Sequence, residues 1–424
     1  MSTAWPSGAR GTAARWLTFS DRSPDMAVVT AEVRLHGRQV GELRFRQGGS
    51  EFSYDDDLAS PRHQVLGQVF EDDPRAIRRA RVGLPAWFAN LLPEGALRRQ
   101  IVRELGGGNI GDFTLLLRVG GNLPGAVTVH ADVEPADDLT SNALDEANHP
   151  LRHSLAGVQL KYSISADRLA VPVSGQGSWW IVKLPDQGLR NLPVNEYLTM
   201  SWLRAADFPV PPVDLIRADA VKGLPDGMID PGDLVYLIRR FDRSTTGRIH
   251  VEDFAQVADI GPMFKYSESG ASYDTLAAAI LQLTGEDGYL DFISRLVAML
   301  VVGNTDGHLK NWALIYPDGR TPRLAPVYDF HSLSVYSRYR WSPLALSLGA
   351  ETVPALIDQE HFRRLADGAG GDPGRTLETV ARTVDRLREA WRGGLMNEAH
   401  ARFPALADHY SQRLASLPVC RSAH

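Results

Sequence analysis

The stretch LVAMLVVGNTDGHLKNWALIYPDGRTPRLAPVYDF, residues 296–330, sets the architecture expected of this 424-residue chain. It opens with an uninterrupted apolar run that ends at Gly303, the pattern of a buried helix stopped by a glycine. A polar loop follows, in which Asp306 and Asn311 stand in the spacing D-x-x-x-x-N. WALIY and TPRLAPVY flank Pro317-Asp318-Gly319, which predicts a hairpin. The hairpin returns the chain to Asp329 in YDF. Helix, polar loop, hairpin and acid are the order of parts around a kinase catalytic loop.

That order has a chemical reason. Phosphoryl transfer needs little covalent help, so a protein supplies positioned oxygens for Mg²⁺ and a carboxylate that orients the attacking hydroxyl. Asp306 suits the catalytic carboxylate. Asn311 and Asp329 suit Mg²⁺, which prefers hard oxygen ligands. Taken singly, either loop residue would as readily cap a helix or close an Asx turn; the ordered set points to chemistry. His308 and Lys310 share the loop, where a cation could meet a phosphate.

A cation for the α- and β-phosphates of ATP is expected upstream on a strand. The chain holds 45 basic residues, of which only five, at 161, 183, 222, 265 and 310, are lysines. Where arginine fills nearly every cationic position, a remaining lysine is expected to do what a guanidinium cannot, such as acting as a compact point charge. Lys183 ends the apolar run WWIVK, and Glu196, in the helically spaced NEYLTMSW, could pair with it across strand and helix.

Other chemistries find no support. There is no GK[ST], so a P-loop is not expected, and Gly106, Gly108 and Gly111 follow a helical pattern and read as its end. The twelve histidines lack zinc-ligand spacing, and Cys420 is the single cysteine. Net charge is −6 and the pI is near 6.1, without the basic excess of a chain that grips nucleic acid. The N-terminus has no signal-peptide pattern and no apolar run approaches membrane-spanning length, so a cytoplasmic protein with no membrane role is expected.

Outward from the central stretch, five segments are expected. Residues 1–26 form an arm and 27–131 a β-rich domain, with hairpin breaks at HGRQ and QGGS. Within the latter, residues 84–108 read as one helical stretch, and DFTLLLRVGGNLPGAVTV as strand. Residues 132–150 are an acidic linker, 151–245 a β/α unit like a kinase N-lobe, and 246–424 a helical C-lobe. The fold class is α+β, a bilobal protein-kinase-like fold with an added N-terminal domain.

The motifs SLAGVQLKYS, WIVKLP, NEY, RRFDR, GNTDGHLKNW and APVYDF resemble those of the HipA family of serine/threonine kinase toxins. VGELRF, FANLLPEG and DFTLLLRVGGNLPGAV resemble its N-terminal subdomain, so the likeness spans roughly residues 27 to 400. The resemblance implies a kinase that binds ATP and Mg²⁺ and phosphorylates a component of translation, such as an aminoacyl-tRNA synthetase. It places the catalytic acid on Asp306, the metal ligands on Asn311 and Asp329, the ATP lysine on Lys183, a nucleotide contact on His308, and the hinge on Ile238, Arg239 and Phe241. It further implies autophosphorylation at Ser154, in a loop that continues through Gln159 and Lys161. The implied partner is a helix-turn-helix antitoxin of the HipB type, through which DNA contact would be indirect. Two positions depart from the family pattern: Leu160 and Arg239 each stand where glutamate is common. A partner-binding pseudokinase and a small-molecule phosphotransferase are the alternative readings.

Overall fold

The structure, a computed structural model, describes residues 28–54, 60, 63–104, 108–132, 161–165, 178–186, 188–221, 229–266 and 270–421. The N-terminal domain is an antiparallel sheet of β1 (Val29–Leu35), β2 (Arg38–Arg46), β3 (Gly49–Tyr54), β4 (Arg78–Ala80) and β5 (Val127–His130), in the order β4-β3-β2-β1-β5. The hairpin turns fall at His36-Gly37 and Gln47-Gly48, each with two successive positive φ values. That geometry matches the twist of the flanking strands. Alternate residues of β1 face a core that gathers Phe45, Phe52, Phe70, Trp87, Phe88 and Phe113.

Two expectations for this domain are corrected. Residues 84–108 are not one helix. They form α2 (Ala86–Ala89) and α3 (Gly95–Glu104), after a short α1 (Gln68–Asp72). The break contains Pro93, which cannot donate an intrahelical hydrogen bond. DFTLLLRV is α4 (Asp112–Val119), not strand. Its leucines favour helix, and a short apolar run does not reveal its period. Strand begins only at Val127.

The next unit has a second antiparallel sheet, ordered β6-β7-β9-β8, made of β6 (Lys161–Ser165), β7 (Ser178–Lys183), β8 (Val213–Arg217) and β9 (Leu234–Arg239). Helix α5 (Leu192–Ala205) follows β7, and Trp202 on it packs against Trp391 and Tyr410, with centroids 4.8 and 4.9 Å away. The helix that bears Glu196 is thus anchored in the helical lobe.

The C-lobe starts with a small hairpin, β10 (Arg243–Ser244) and β11 (Gly247–Arg248). A three-stranded sheet follows, of β12 (His250–Asp253), β13 (Ala313–Tyr316) and β14 (Arg323–Leu324). Its helices are α6 (Phe254–Val257), α7 (Tyr273–Val302), α8 (Gln359–Ala369), α9 (Pro373–Ala390), α10 (Met396–Arg402) and α11 (Pro404–Ser416). Gly285 interrupts α7, and every residue from Phe292 to Val302 is buried. Among the described residues no helix is long and apolar enough to cross a membrane. Gly303 ends α7 at φ 72°, and a Cβ there would lie 1.9 Å from Ser334 Oγ. A residue with a side chain would meet both strain and a clash where the polar loop begins.

The N-terminal domain docks on this lobe through buried polar groups. Glu252 on β12 accepts from the Gln68 amide at 3.1 Å, from Trp87 Nε1 at 3.3 Å and from the Tyr316 hydroxyl. Gly125, at φ 70°, donates its amide to Asp242 Oδ2 at 2.8 Å, and a Cβ there would lie 2.7 Å from Val251 N. Arg240 and Arg243 reach across to the Leu123 carbonyl.

Burial pushes the Glu252 carboxyl up to about 7, despite its three donors. The folded chain therefore keeps a proton that the unfolded chain, with an ordinary carboxyl near 4.5, has released. The stability this group contributes is full below that value and is lost as pH rises through about 7. Urea unfolding of wild type and Glu252→Gln at several pH values should show the wild-type advantage shrinking between pH 5 and 8. A constant difference would contradict this assignment.

Candidate active site

The site is assembled from three separated segments. Lys183, at the end of β7, is buried and its ammonium donates to both Glu196 on α5 and Asp329 after β14. Burial alone would discharge it, but the two carboxylates raise its pKa to about 12. The strand–helix ion pair expected from the sequence is therefore present, and it is shared with the acid of YDF. Asn195, next to Glu196, donates to the Ser332 carbonyl at 2.7 Å and accepts from the Ser332 amide at 2.9 Å. This pair of bonds fixes α5 to the chain just past Asp329.

The polar loop of residues 303–311 is held at nearly every residue. The Gly303 carbonyl accepts from the Leu333 and Ser334 amides. Asn304 donates to the Asp329 carbonyl at 3.4 Å and accepts from the Asp306 amide at 3.1 Å, so one side chain joins the loop to the YDF segment. The Gly307 carbonyl accepts from Tyr273 and from the Trp312 indole, both at 3.0 Å. The Ala345 amide donates to the Thr305 carbonyl. Asp306 is buried, and Oδ1 accepts from the Tyr266 hydroxyl at 3.2 Å. The Tyr266 ring also meets His308 edge-on, with centroids 5.2 Å apart. Burial and then Lys265 drive the His308 pKa well down, so its imidazole is neutral.

Asn311 and Asp329 meet: Asn311 Nδ2 donates to Asp329 Oδ2 at 3.4 Å. Asn311 Oδ1 is buried without a hydrogen-bond partner. An oxygen left this way beside a carboxylate fits a hard cation. Among the described residues no group of three or more His, Cys, Asp or Glu could hold a metal. Mg²⁺ does not require such a cage, because it keeps waters and shares substrate phosphates. Asp329 adopts φ 59°, a left-handed conformation that Asp tolerates better than most residues.

The remaining expected residues are placed as follows. Ile238 is buried in the core on β9. Arg239 is exposed, with its guanidinium over the Trp179 ring at 5.4 Å. Phe241 packs on Tyr328 at 5.5 Å, and the Tyr328 hydroxyl donates to the Lys310 carbonyl. Lys310, expected beside a phosphate, instead gives its ammonium to Glu94 and to the Asn90 carbonyl. Lys161 pairs with Lys183 in the β6–β7 register. Ser154 and Gln159 lie outside the described residues. The sequence reading missed Asn304, Tyr266 and Glu94, whose parts depend on contacts between distant segments; the scarcity of lysine had pointed at Lys265 without giving it a role.

Comparison with known proteins gives the class. The HipA N-terminal domain family matches residues 31–130, and the HipA-like C-terminal domain family matches residues 153–391. The chain belongs to the HipA family and has its bilobal, kinase-like α+β fold with an additional N-terminal domain. Among its relatives, the Sinorhizobium fredii protein named "Putative kinase Y4dM" is 36% identical over 385 residues, covering 87% of this chain and 93% of the relative. A second protein of that organism, "Putative kinase Y4mE", is 29% identical over 405 residues, covering 86% and 91%. The HipA of Shewanella oneidensis, solved with HipB and its operator DNA, shares the fold at a TM-score of 0.68 and 19% identity, over 91% of this chain and 96% of that one.

Removing the shared cation should be costly. Lys183→Met leaves the Glu196 and Asp329 carboxylates facing each other, and loss of one partner from a buried ionic group costs roughly 3–5 kcal/mol. Chemical unfolding at neutral pH should show a loss of that order. It should shrink as pH falls and the orphaned carboxylates protonate.

Proposed function

We propose that this chain is an ATP- and Mg²⁺-dependent serine/threonine protein kinase that acts as the toxin of a toxin–antitoxin pair. The observation that carries this reading is the meeting of Lys183, Glu196, Asp329 and Asn311 beside the loop that bears Asp306. In a kinase the strand lysine and its helix glutamate must be joined for the α- and β-phosphates to be held, and here they are joined. Asp306, oriented by Tyr266, is suited to align a protein hydroxyl and take its proton. That hydroxyl oxygen attacks the γ-phosphorus, the bond to the bridging oxygen breaks, and ADP leaves. Asn311 and Asp329 would hold Mg²⁺, which neutralises charge on the β- and γ-phosphates. His308 and the hinge residues Ile238, Arg239 and Phe241 are the further nucleotide contacts.

The target is a component of the translation machinery, such as an aminoacyl-tRNA synthetase, and Ser154 is a site of autophosphorylation. What supports both is the likeness of the motifs to those of the HipA family. The partner is a helix-turn-helix antitoxin, in keeping with the presence of HipB and operator DNA beside the Shewanella protein.

With labelled ATP and Mg²⁺, wild type should transfer phosphate, and Asp306→Ala should transfer about 10³-fold less or worse while melting normally. A chelator should abolish transfer. Peptide mapping should find the phosphate on Ser154, and expression in bacteria should arrest growth only when Asp306 is intact. Full toxicity of Asp306→Ala, or a wild type that neither binds nor consumes ATP, would sink the proposal.

A further inference from the structure

The catalytic loop is gripped from outside the kinase lobes. Between α2 and α3, where Pro93 breaks the helix, Glu94 reaches into the C-lobe. Its Oε1 accepts from Lys310 of the catalytic loop, and its Oε2 accepts from Lys265 at 2.6 Å. Each lysine is tied to the site. Lys310 is flanked by Asn311, and the Leu309 amide donates to the Lys265 carbonyl at 3.1 Å. Lys265 precedes Tyr266, whose hydroxyl orients Asp306. Burial would raise the Glu94 carboxyl, yet the two ammonium groups hold it well below the usual carboxylate range, so it stays charged. Without that carboxylate, Lys265 loses its ion-pair partner and Lys310 keeps only the Asp253 carboxylate, so the two neighbouring cations are left under-compensated, and a charge held out of water that loses its partner is costly enough to move the chain.

We propose that Glu94 is a positioning residue for phosphoryl transfer, through which the N-terminal domain sets the geometry of the catalytic loop. The inference rests on the kinase reading above. Through Lys310 it fixes the turn that presents Asn311, and through Lys265 the segment that presents Tyr266 to Asp306. Glu252, on the same domain seam but bonded to Gln68, Trp87 and Tyr316, serves docking alone.

The test measures steady-state conversion of ATP to ADP by the full-length chain with Mg²⁺ and casein, a generic acceptor protein whose serine and threonine hydroxyls, or water, take the phosphoryl group, together with thermal melting. A displacement of about 1 Å at a reacting group can cost on the order of 10²-fold, so Glu94→Gln should lower kcat about 10- to 100-fold. The KM for ATP should stay within about threefold, because Lys183 and Glu196 are untouched. Glu94→Asp, which keeps the charge, should recover much of the loss. Glu252→Gln should weaken the seam yet keep kcat within about twofold. In a Lys265→Met, Lys310→Met background, Glu94→Gln should add nothing further. A Glu94→Gln protein with wild-type kcat overturns the proposal, as does a Glu252→Gln protein that loses as much. If Glu94→Gln does not fold, Lys310→Met decides in the same way: unchanged kcat overturns the proposal and a comparable loss supports it. A wild type with no turnover would instead bring down the kinase reading itself, an outcome distinct from an active wild type with an active Glu94→Gln.

Discussion

Lys183 sits between Glu196 and Asp329, and the assembly of the site depends on that single ammonium. It is buried, so its charge survives only because two carboxylates face it, and each of them comes from a different part of the chain. A charge in such a place can be satisfied only when β7, α5 and the segment after β14 are all in register. The surrounding structure enforces that register twice. Asn195 exchanges two hydrogen bonds with Ser332, and Trp202 anchors α5 against the C-terminal helices. In many kinases the corresponding helix moves to break the ion pair. Here that helix is fastened to the C-lobe on one side and to the YDF segment on the other, so losing the pair would require breaking buried packing.

The N-terminal domain belongs to this arrangement and is more than an appendage. Its motifs meet the kinase motifs in space. The NLPGAV turn receives Arg240, Asp242 and Arg243 from the segment after β9, and the FANLLPEG segment receives Lys265 and Lys310, the latter from the loop of residues 303–311. Glu252, with its three donors, adds a further contact across the same seam. The domain therefore braces both the segment that follows β9 and the loop of residues 303–311. Such a brace is built from buried polar groups, which tolerate few alternative geometries, because each one displaced is left unsatisfied.

What could be read from the sequence was what is fixed locally. The apolar end of α7, its glycine stop, the D-x-x-x-x-N loop and the hairpin before Asp329 lie within one continuous stretch, and each step obeys short-range rules. The reading of Lys183 and Glu196 as partners also came through, because strand end and helix start are close in sequence. The reading failed where type or partner depends on distant residues. DFTLLLRV is too short to show its period, and its helical form is supported by Asp112 pairing with Arg98 on the preceding helix. Lys310 looked like a phosphate ligand, since nothing near it in sequence announces Glu94, 216 residues away. Asn304 carries no local signal of a role; only its simultaneous contact with Asp306 and Asp329 gives it a part.

The scarcity of lysine proves to be a clue about shape more than about phosphate. Lys183 forms a buried ion pair with Glu196, and Lys265 and Lys310 form part-buried pairs with Glu94. Arginine serves where a planar fork is needed: Arg295 spans both oxygens of Asp291, and Arg240 spans both oxygens of Asp242. A guanidinium suits one carboxylate taken edge-on, and it is too broad to sit between two carboxylates that converge from different elements. Lys183 has to do that with Glu196 and Asp329. At Glu94 the problem is inverted: two cations must fit around one carboxylate, again in little space. Among the described side chains, lysine stands where charge is concentrated on one small atom, at the junction of β7, α5 and the YDF segment and at the junction of Glu94 with the loop of residues 303–311.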